Sequence, residues 1–115
     1  MREDIKQKAV IAPREAALGT SLRGYVYTTY DELIDAFGNP PYGVSRDKKV
    51  DVEWVIRLKH SNVIFTIYNY KDGPAYRGPD YRVEDIREWQ IGGWEGISEV
   101  FQFLREETSF GVRRQ

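Results

Sequence analysis

Polar and apolar residues alternate over residues 51–58, which read DVEWVIRL. One face of this stretch is mostly charged, whereas the other carries Val52, Trp54, Ile56 and Leu58. A period of two predicts a half-buried β-strand. The polar turn HSN separates it from a second β-branched and aromatic run, VIFTIYNY, so residues 50–70 predict a β-hairpin. The runs LRGYVYTT and DIREWQIGG predict two further strands.

Directly after the predicted strand LRGYVYTT, the spacing of the apolar residues changes to that of a helix. Thr29 is followed three residues later by Glu32, which is the spacing of a capping box. Gly38 and the prolines behind it predict the end of this helix. Its apolar stripe consists of Leu33, Ile34 and Phe37.

A second helix is predicted to begin near Trp94 or Glu95. Its apolar residues repeat at i, i+3, i+4 and i+7, which predicts a broad stripe facing a core. They are Ile97, Val100, Phe101 and Leu104.

The predicted order of elements is β-α-β-β-β-α, which favours a two-layer α+β sandwich. We expect an antiparallel sheet of about four strands with the helices on one face. Residues 1–20 predict an N-terminal arm or short helix, residues 21–108 a single α+β domain, and residues 109–115 a C-terminal tail. The predicted core contains Leu33, Phe37, Trp54, Ile56, Ile97 and Phe101.

Composition narrows the function classes. Seventeen basic and eighteen acidic residues give a net charge of -1, which argues against a dedicated binder of duplex DNA. The chain has no cysteine and one histidine, which excludes a disulfide framework and a site with several histidines. No apolar run reaches the roughly eighteen residues of a membrane span, and the N-terminus lacks the apolar core of a signal peptide. We therefore expect a cytoplasmic protein that makes no membrane contact.

Catalytic patterns are weak. The single histidine, His60, lies in the predicted hairpin turn, where a solvent-exposed role is the simpler interpretation. The run IGGWEG lacks the lysine and the spacing of a phosphate-binding loop. We expect no enzymatic activity and no cofactor.

Binding chemistry is better represented. The run IYNYKDGPAYRGPDYR interleaves tyrosines with lysine and arginine, and the C-terminal tail adds an aromatic residue and two arginines. Aromatic faces stack on bases and cations neutralise phosphate, although tyrosines on strands and a solvated C-terminus are equally ordinary. The candidate ligand-binding residues are Tyr68, Tyr70, Lys71, Arg77, Arg82, Trp89, Gly92, Gly93, Phe110 and Arg113.

The glycine pair at the predicted junction of strand and helix has two interpretations. Gly92 and Gly93 serve a tight turn that needs positive φ, or their backbone N–H groups form a cradle for an anion. The two interpretations are compatible.

Several motifs occur together in one order: GTSLRGYVYTTYDELIDAFGNP, DKKVDVEWVI, FTIYNYKDG and EWQIGG. Over about residues 19–93 the chain resembles a set of small proteins of tailed bacteriophages. In those proteins the residue between the Trp and Ile of the last motif is often His; here it is Gln90, which puts any proton-transfer role at that position in doubt.

The resemblance implies a phage protein acting in the cytoplasm of an infected bacterial host. The version we favour is similar to sponge proteins of the Thoeris anti-defence type, which bind a cyclic nucleotide signal without cleaving it, often as homo-oligomers. The alternative is a phage inhibitor that binds a host defence protein, such as a CRISPR effector, directly. A weak binder of single-stranded nucleic acid is the least favoured of the three, because the charge is balanced.

Overall fold

A computed structural model describes residues 1–115 of the chain. All six strands form one antiparallel sheet, in the spatial order β1-β3-β4-β5-β2-β6. The strands are β1 Ala9–Ile11, β2 Ser21–Tyr27, β3 Glu53–Leu58, β4 Ile64–Tyr68, β5 Glu88–Gly93 and β6 Gly111–Arg114. The helices are α1 Glu3–Lys6, α2 Tyr30–Phe37, α3 Pro74–Arg77 and α4 Ser98–Glu107, with 3-10 turns at Arg14–Ala17 and Val83–Asp85.

The α+β class and the antiparallel sheet are confirmed, but the sheet has six strands where about four were predicted. The two additional strands lie at its edges. The predicted arm contains β1, which pairs with β3, and the predicted tail contains β6, which pairs with β2. Each of the two predicted terminal segments therefore contributes one strand to the sheet.

Local signals account for helix α2. The Thr29 hydroxyl accepts a hydrogen bond from the Glu32 backbone N–H at 3.1 Å, as the capping box predicts. Gly38 ends the helix with φ 86°, a conformation that favours glycine. Helix α4 begins at Ser98, a few residues later than predicted, because Gly96 with φ 79° turns the chain first.

One face of the sheet is covered by α2 and α4, with Ile5 of α1. Strand side chains such as Trp54 and Trp89 share a single apolar core with residues of α2 and α4. All six predicted core residues are buried, at 5% exposure or less. None of the helices is long and apolar enough to span a bilayer.

Candidate functional site

The opposite face of the sheet carries a row of polar and aromatic side chains that we call the open-face row. Strand register places its members directly opposite one another, on five adjacent strands. Every member is at least partly exposed. In spatial order they are Glu53, Tyr68, Gln90, Tyr25 and Arg113.

Only one half of this face is open, because residues 12–20 cover the other half. Ala12 donates its N–H to the Val55 carbonyl at 2.9 Å, and the 3-10 turn Arg14–Ala17 then lies against β3 and β4. Val55 and Thr66 beneath this segment are buried. The open-face row begins where the cover stops.

Gly92 provides the space in which the Tyr68 ring lies. A Cβ atom at position 92 would stand 2.7 Å from Cγ2 of Thr66 and 3.3 Å from Cε1 of Tyr68. A real Cβ atom essentially never stands as close as 2.7 Å, so a side chain at position 92 would displace Thr66, and it would also crowd the Tyr68 ring.

Neither predicted role of the glycine pair describes the structure. Gly92 and Gly93 lie inside β5, paired with β4 on one side and β2 on the other, so no cradle of free N–H groups forms there. Neither glycine has positive φ; the turn uses Gly96. The absent side chain of Gly93 leaves room for Ile97.

The ring of Tyr68 is partly buried within the row. Burial raises the pKa of its hydroxyl above the usual value, and the negative charge of Glu53 raises this pKa further. The hydroxyl therefore remains protonated at neutral pH and offers a ligand both a donor and an acceptor.

Arg113 brings a permanent positive charge to the far end of the row. Its guanidinium carbon lies 4.6 Å from the centre of the Tyr25 ring, and its Nε donates to the Tyr27 hydroxyl at 2.9 Å. That hydrogen bond raises the already high pKa of Arg113. The strand β6 thus holds the cation on an aromatic surface, where a flexible tail would leave it mobile.

A second cluster adjoins the row and is called the cation–aromatic loop, residues 70–81. The Lys71 ammonium lies 5.4 Å from the Tyr70 ring centre and 5.5 Å from that of Tyr76. The Arg77 guanidinium carbon lies 5.3 Å from the Tyr81 ring centre. Each cation of this loop therefore stands over at least one tyrosine.

Buried polar residues hold the loop against the sheet. The Asn69 side-chain oxygen accepts from the backbone N–H groups of Asp51 and Val52, at 2.9 and 3.1 Å. The Asp51 carboxylate accepts from the Asn69 amide at 2.8 Å and from the Ala75 N–H at 2.9 Å. These bonds satisfy the buried carboxylate and fix the start of α3.

An open cleft of about 280 Å³ borders the row at Glu53. It contains Arg14 and Arg46, and the Nε of Arg14 lies 3.8 Å from a carboxylate oxygen of Glu53. The other oxygen of Glu53 accepts from the Thr66 hydroxyl at 2.7 Å. The only carboxylate in the row is thus engaged by a hydroxyl and a cation.

The structure brings together five of the ten candidate residues. Tyr68 and Arg113 are in the row, and Tyr70, Lys71 and Arg77 are in the adjacent loop, whose Tyr70 N–H donates to Gln90 at 3.0 Å. Tyr25 of the row was not among the candidates. Its alternation, and that of Tyr27, with buried neighbours along β2 is the sequence signal that could have indicated it.

Besides the glycine pair, three other candidates lie away from the row. Trp89 is fully buried and donates its Nε1 to the Thr28 carbonyl at 3.2 Å, and Phe110 packs edge-on against Phe37 in the core. Neither ring is presented to a ligand. Arg82 pairs with Glu84 at 3.5 Å, beside a separate cleft rich in aspartates.

The structure also places the single histidine and the acidic side chains. His60 is exposed at the hairpin turn, and its neighbour Ser61 donates to Glu99. No cluster of three or more His, Asp or Glu side chains has a geometry that could hold a metal ion. Comparison with protein-family models, curated proteins and solved structures finds no match.

Proposed function

We propose that this protein binds a nucleotide on the open half of its sheet and holds it without chemical change. The observation that carries the proposal is the open-face row, in which two tyrosines, an amide and an arginine from four different strands share one surface. Tyrosine rings stack on bases, and arginine pairs with phosphate.

The dimensions of the row favour a ligand larger than a mononucleotide. Five adjacent strands at a spacing of about 4.8 Å give a row roughly 19 Å long. Cations stand at both ends: Arg113 at one end, and Arg14 beside Glu53 at the other. A ligand with two bases and two phosphates, such as a cyclic dinucleotide, is long enough to stack a base on the tyrosines while its phosphates lie near one of these cations.

The finer proposal is that the ligand is a cyclic nucleotide immune signal and that the protein is a phage-encoded sponge acting in the cytoplasm of the infected host. Its support is the resemblance over residues 19–93, together with the engagement of Glu53 by Thr66 and Arg14, which leaves no free general base in the row. A homo-oligomer would enclose the shallow row between neighbouring chains.

The test is binding and recovery of the ligand. Titration calorimetry and thermal melts with cyclic dinucleotides and cyclic ADP-ribose isomers should identify a ligand. A ligand present at 100 times its Kd should raise the free energy of unfolding by about 2.7 kcal/mol. Mass spectrometry of the heat-released ligand should show it intact. If no ligand shifts the melt, or if the recovered ligand is cleaved, the proposal fails.

A matched pair of variants locates the site. Arg113→Gln removes the cation of the row and should weaken binding by about tenfold or more, because a charge-assisted contact to phosphate is lost. Arg82→Gln removes the same charge from a position paired with Glu84 outside the row and should leave affinity unchanged. Equal losses in both variants would point to a non-specific charge effect.

A second candidate function is direct binding of a host defence protein. The observation in its favour is the exposure of three tyrosines in the cation–aromatic loop, Tyr70, Tyr76 and Tyr81, at 45, 51 and 49%. Tyrosine is enriched among residues that dominate protein interfaces. The purified chain should then form a stoichiometric complex with one defence effector, and Tyr76→Ala should weaken it. Nucleotide binding that survives Tyr76→Ala would separate the two functions.

A further inference from the structure

Gln90 stands at the centre of the open-face row, with Tyr68 opposite it on one side and Tyr25 on the other. Its side-chain oxygen accepts a hydrogen bond from the Tyr70 backbone N–H at 3.0 Å. Only the oxygen of a carboxamide can accept from an N–H group, so this bond determines which end of the amide points to the loop. The Nε2 end is thereby directed away from the Tyr70 N–H.

The Nε2 group has no acceptor within the protein, and the side chain is only half buried. A carboxamide nitrogen carries two donor hydrogens. Resting on the proposed nucleotide function, we infer that Gln90 reads the edge of the bound base through Nε2. It selects bases whose edge presents acceptors, as guanine does with O6 and N7.

The engaged oxygen is what gives this selection its direction. A glutamine with both ends free commonly binds adenine, accepting from N6 and donating to N7. At Gln90 one lone pair of the oxygen already accepts from the Tyr70 N–H, and this bond fixes the orientation of the amide. The adenine pattern would need the same oxygen to accept a second hydrogen bond, from N6, in that fixed orientation, which disfavours adenine. The O6 and N7 edge of guanine presents acceptors alone, so a donor from Nε2 to either atom leaves the Gln90 oxygen undisturbed. The stacking tyrosines at its sides do not discriminate between bases, so the amide is the group of the row that does.

The experiment measures base preference and then removes its source. Wild-type protein is titrated with cyclic di-GMP and cyclic di-AMP, with a preference of about tenfold for the guanine ligand expected. Gln90→Glu retains an oxygen for the Tyr70 N–H but has no donor, so it should lose most guanine affinity and most of the preference. Gln102→Glu makes the same chemical change on the exposed surface of α4, where Nε2 donates to Glu106, and should behave as wild type.

The outcomes separate the two levels of the proposal. Binding of neither ligand, nor of any other nucleotide, overturns the nucleotide function and this inference with it. Equal affinity for the two ligands, or a guanine preference that survives in Gln90→Glu, overturns the inference and leaves the nucleotide function standing. The wild-type comparison decides the matter even if the variant does not fold.

Discussion

The two faces of the sheet come from the same strands and differ in what they contribute. On the covered face, Trp54 and Trp89 are fully buried among helix side chains. Their chain neighbours Glu53 and Gln90 point the other way, to the open face. Because side chains alternate along a strand, stability and binding chemistry are separated without any change of element. Substitutions on the two faces should therefore have separable effects.

The largest expected effect lies on the covered face. Phe101 of α4 is 1% exposed and belongs to the apolar core, so Phe101→Ala should lower the free energy of unfolding by about 3–5 kcal/mol. Tyr25→Ala on the open face should cost far less, mainly its contact of about 0.5–1 kcal/mol with Arg113. Urea denaturation monitored by tryptophan fluorescence measures both. Equal losses would mean that the faces do not divide these roles.

An intermediate effect is expected where the two roles meet, at Gly92. Its substitution by alanine pushes a methyl group into Thr66 and the Tyr68 ring, and Thr66 is held by its bond to Glu53. Gly92→Ala should cost about 1–3 kcal/mol of stability and also weaken nucleotide binding, because the ring leaves its place in the row.

Gly43→Ala is the matched control for Gly92→Ala. Position 43 has no heavy atom within 4 Å of the added methyl group and no positive φ. Its effect on the free energy of unfolding should remain within about 0.5 kcal/mol. A loss at Gly43 similar to that at Gly92 would show that the backbone, and not the Tyr68 ring, sets the cost.

Elements with signals among residues close in sequence were predicted, whereas the two edge strands, which depend on distant residues, were not. The Thr29 cap and the hairpin of β3 and β4 depend on residues close in the chain, and both were predicted. The edge strands β1 and β6 have three and four residues and depend on partners distant in sequence. Strands this short lack a readable period, so residues 1–20 and 109–115 were assigned to an arm and a tail.

The site was predicted in part for the same reason. Composition indicated tyrosines and arginines, but their arrangement depends on the register of five strands, which brings Tyr25 beside Arg113. Residue type alone was misleading for Trp89, an aromatic ring that the alternation of β5 directs into the core. The reason for the glycine pair is its close approach to Thr66 and Ile97, and no local sequence pattern reveals these contacts.

The smallest expected effect tests how enclosed the open-face row is. Burial, and then the charge of Glu53, raises the pKa of Tyr68 above its usual value of 10.0. Above about pH 10 the unfolded chain loses this proton while the folded chain keeps it, so the free energy of unfolding falls as pH rises. Tyr68→Phe removes that contribution and should lose less stability than wild type between about pH 9 and 11.

Tyr30, whose pKa burial also raises, stacks on Trp89 at the covered face, and Tyr30→Phe provides the matched control. Tyr30→Phe alone flattening the pH dependence of the free energy of unfolding, with no change in Tyr68→Phe, would mean that water reaches the Tyr68 hydroxyl. A ligand would then gain little affinity by displacing water from Tyr68.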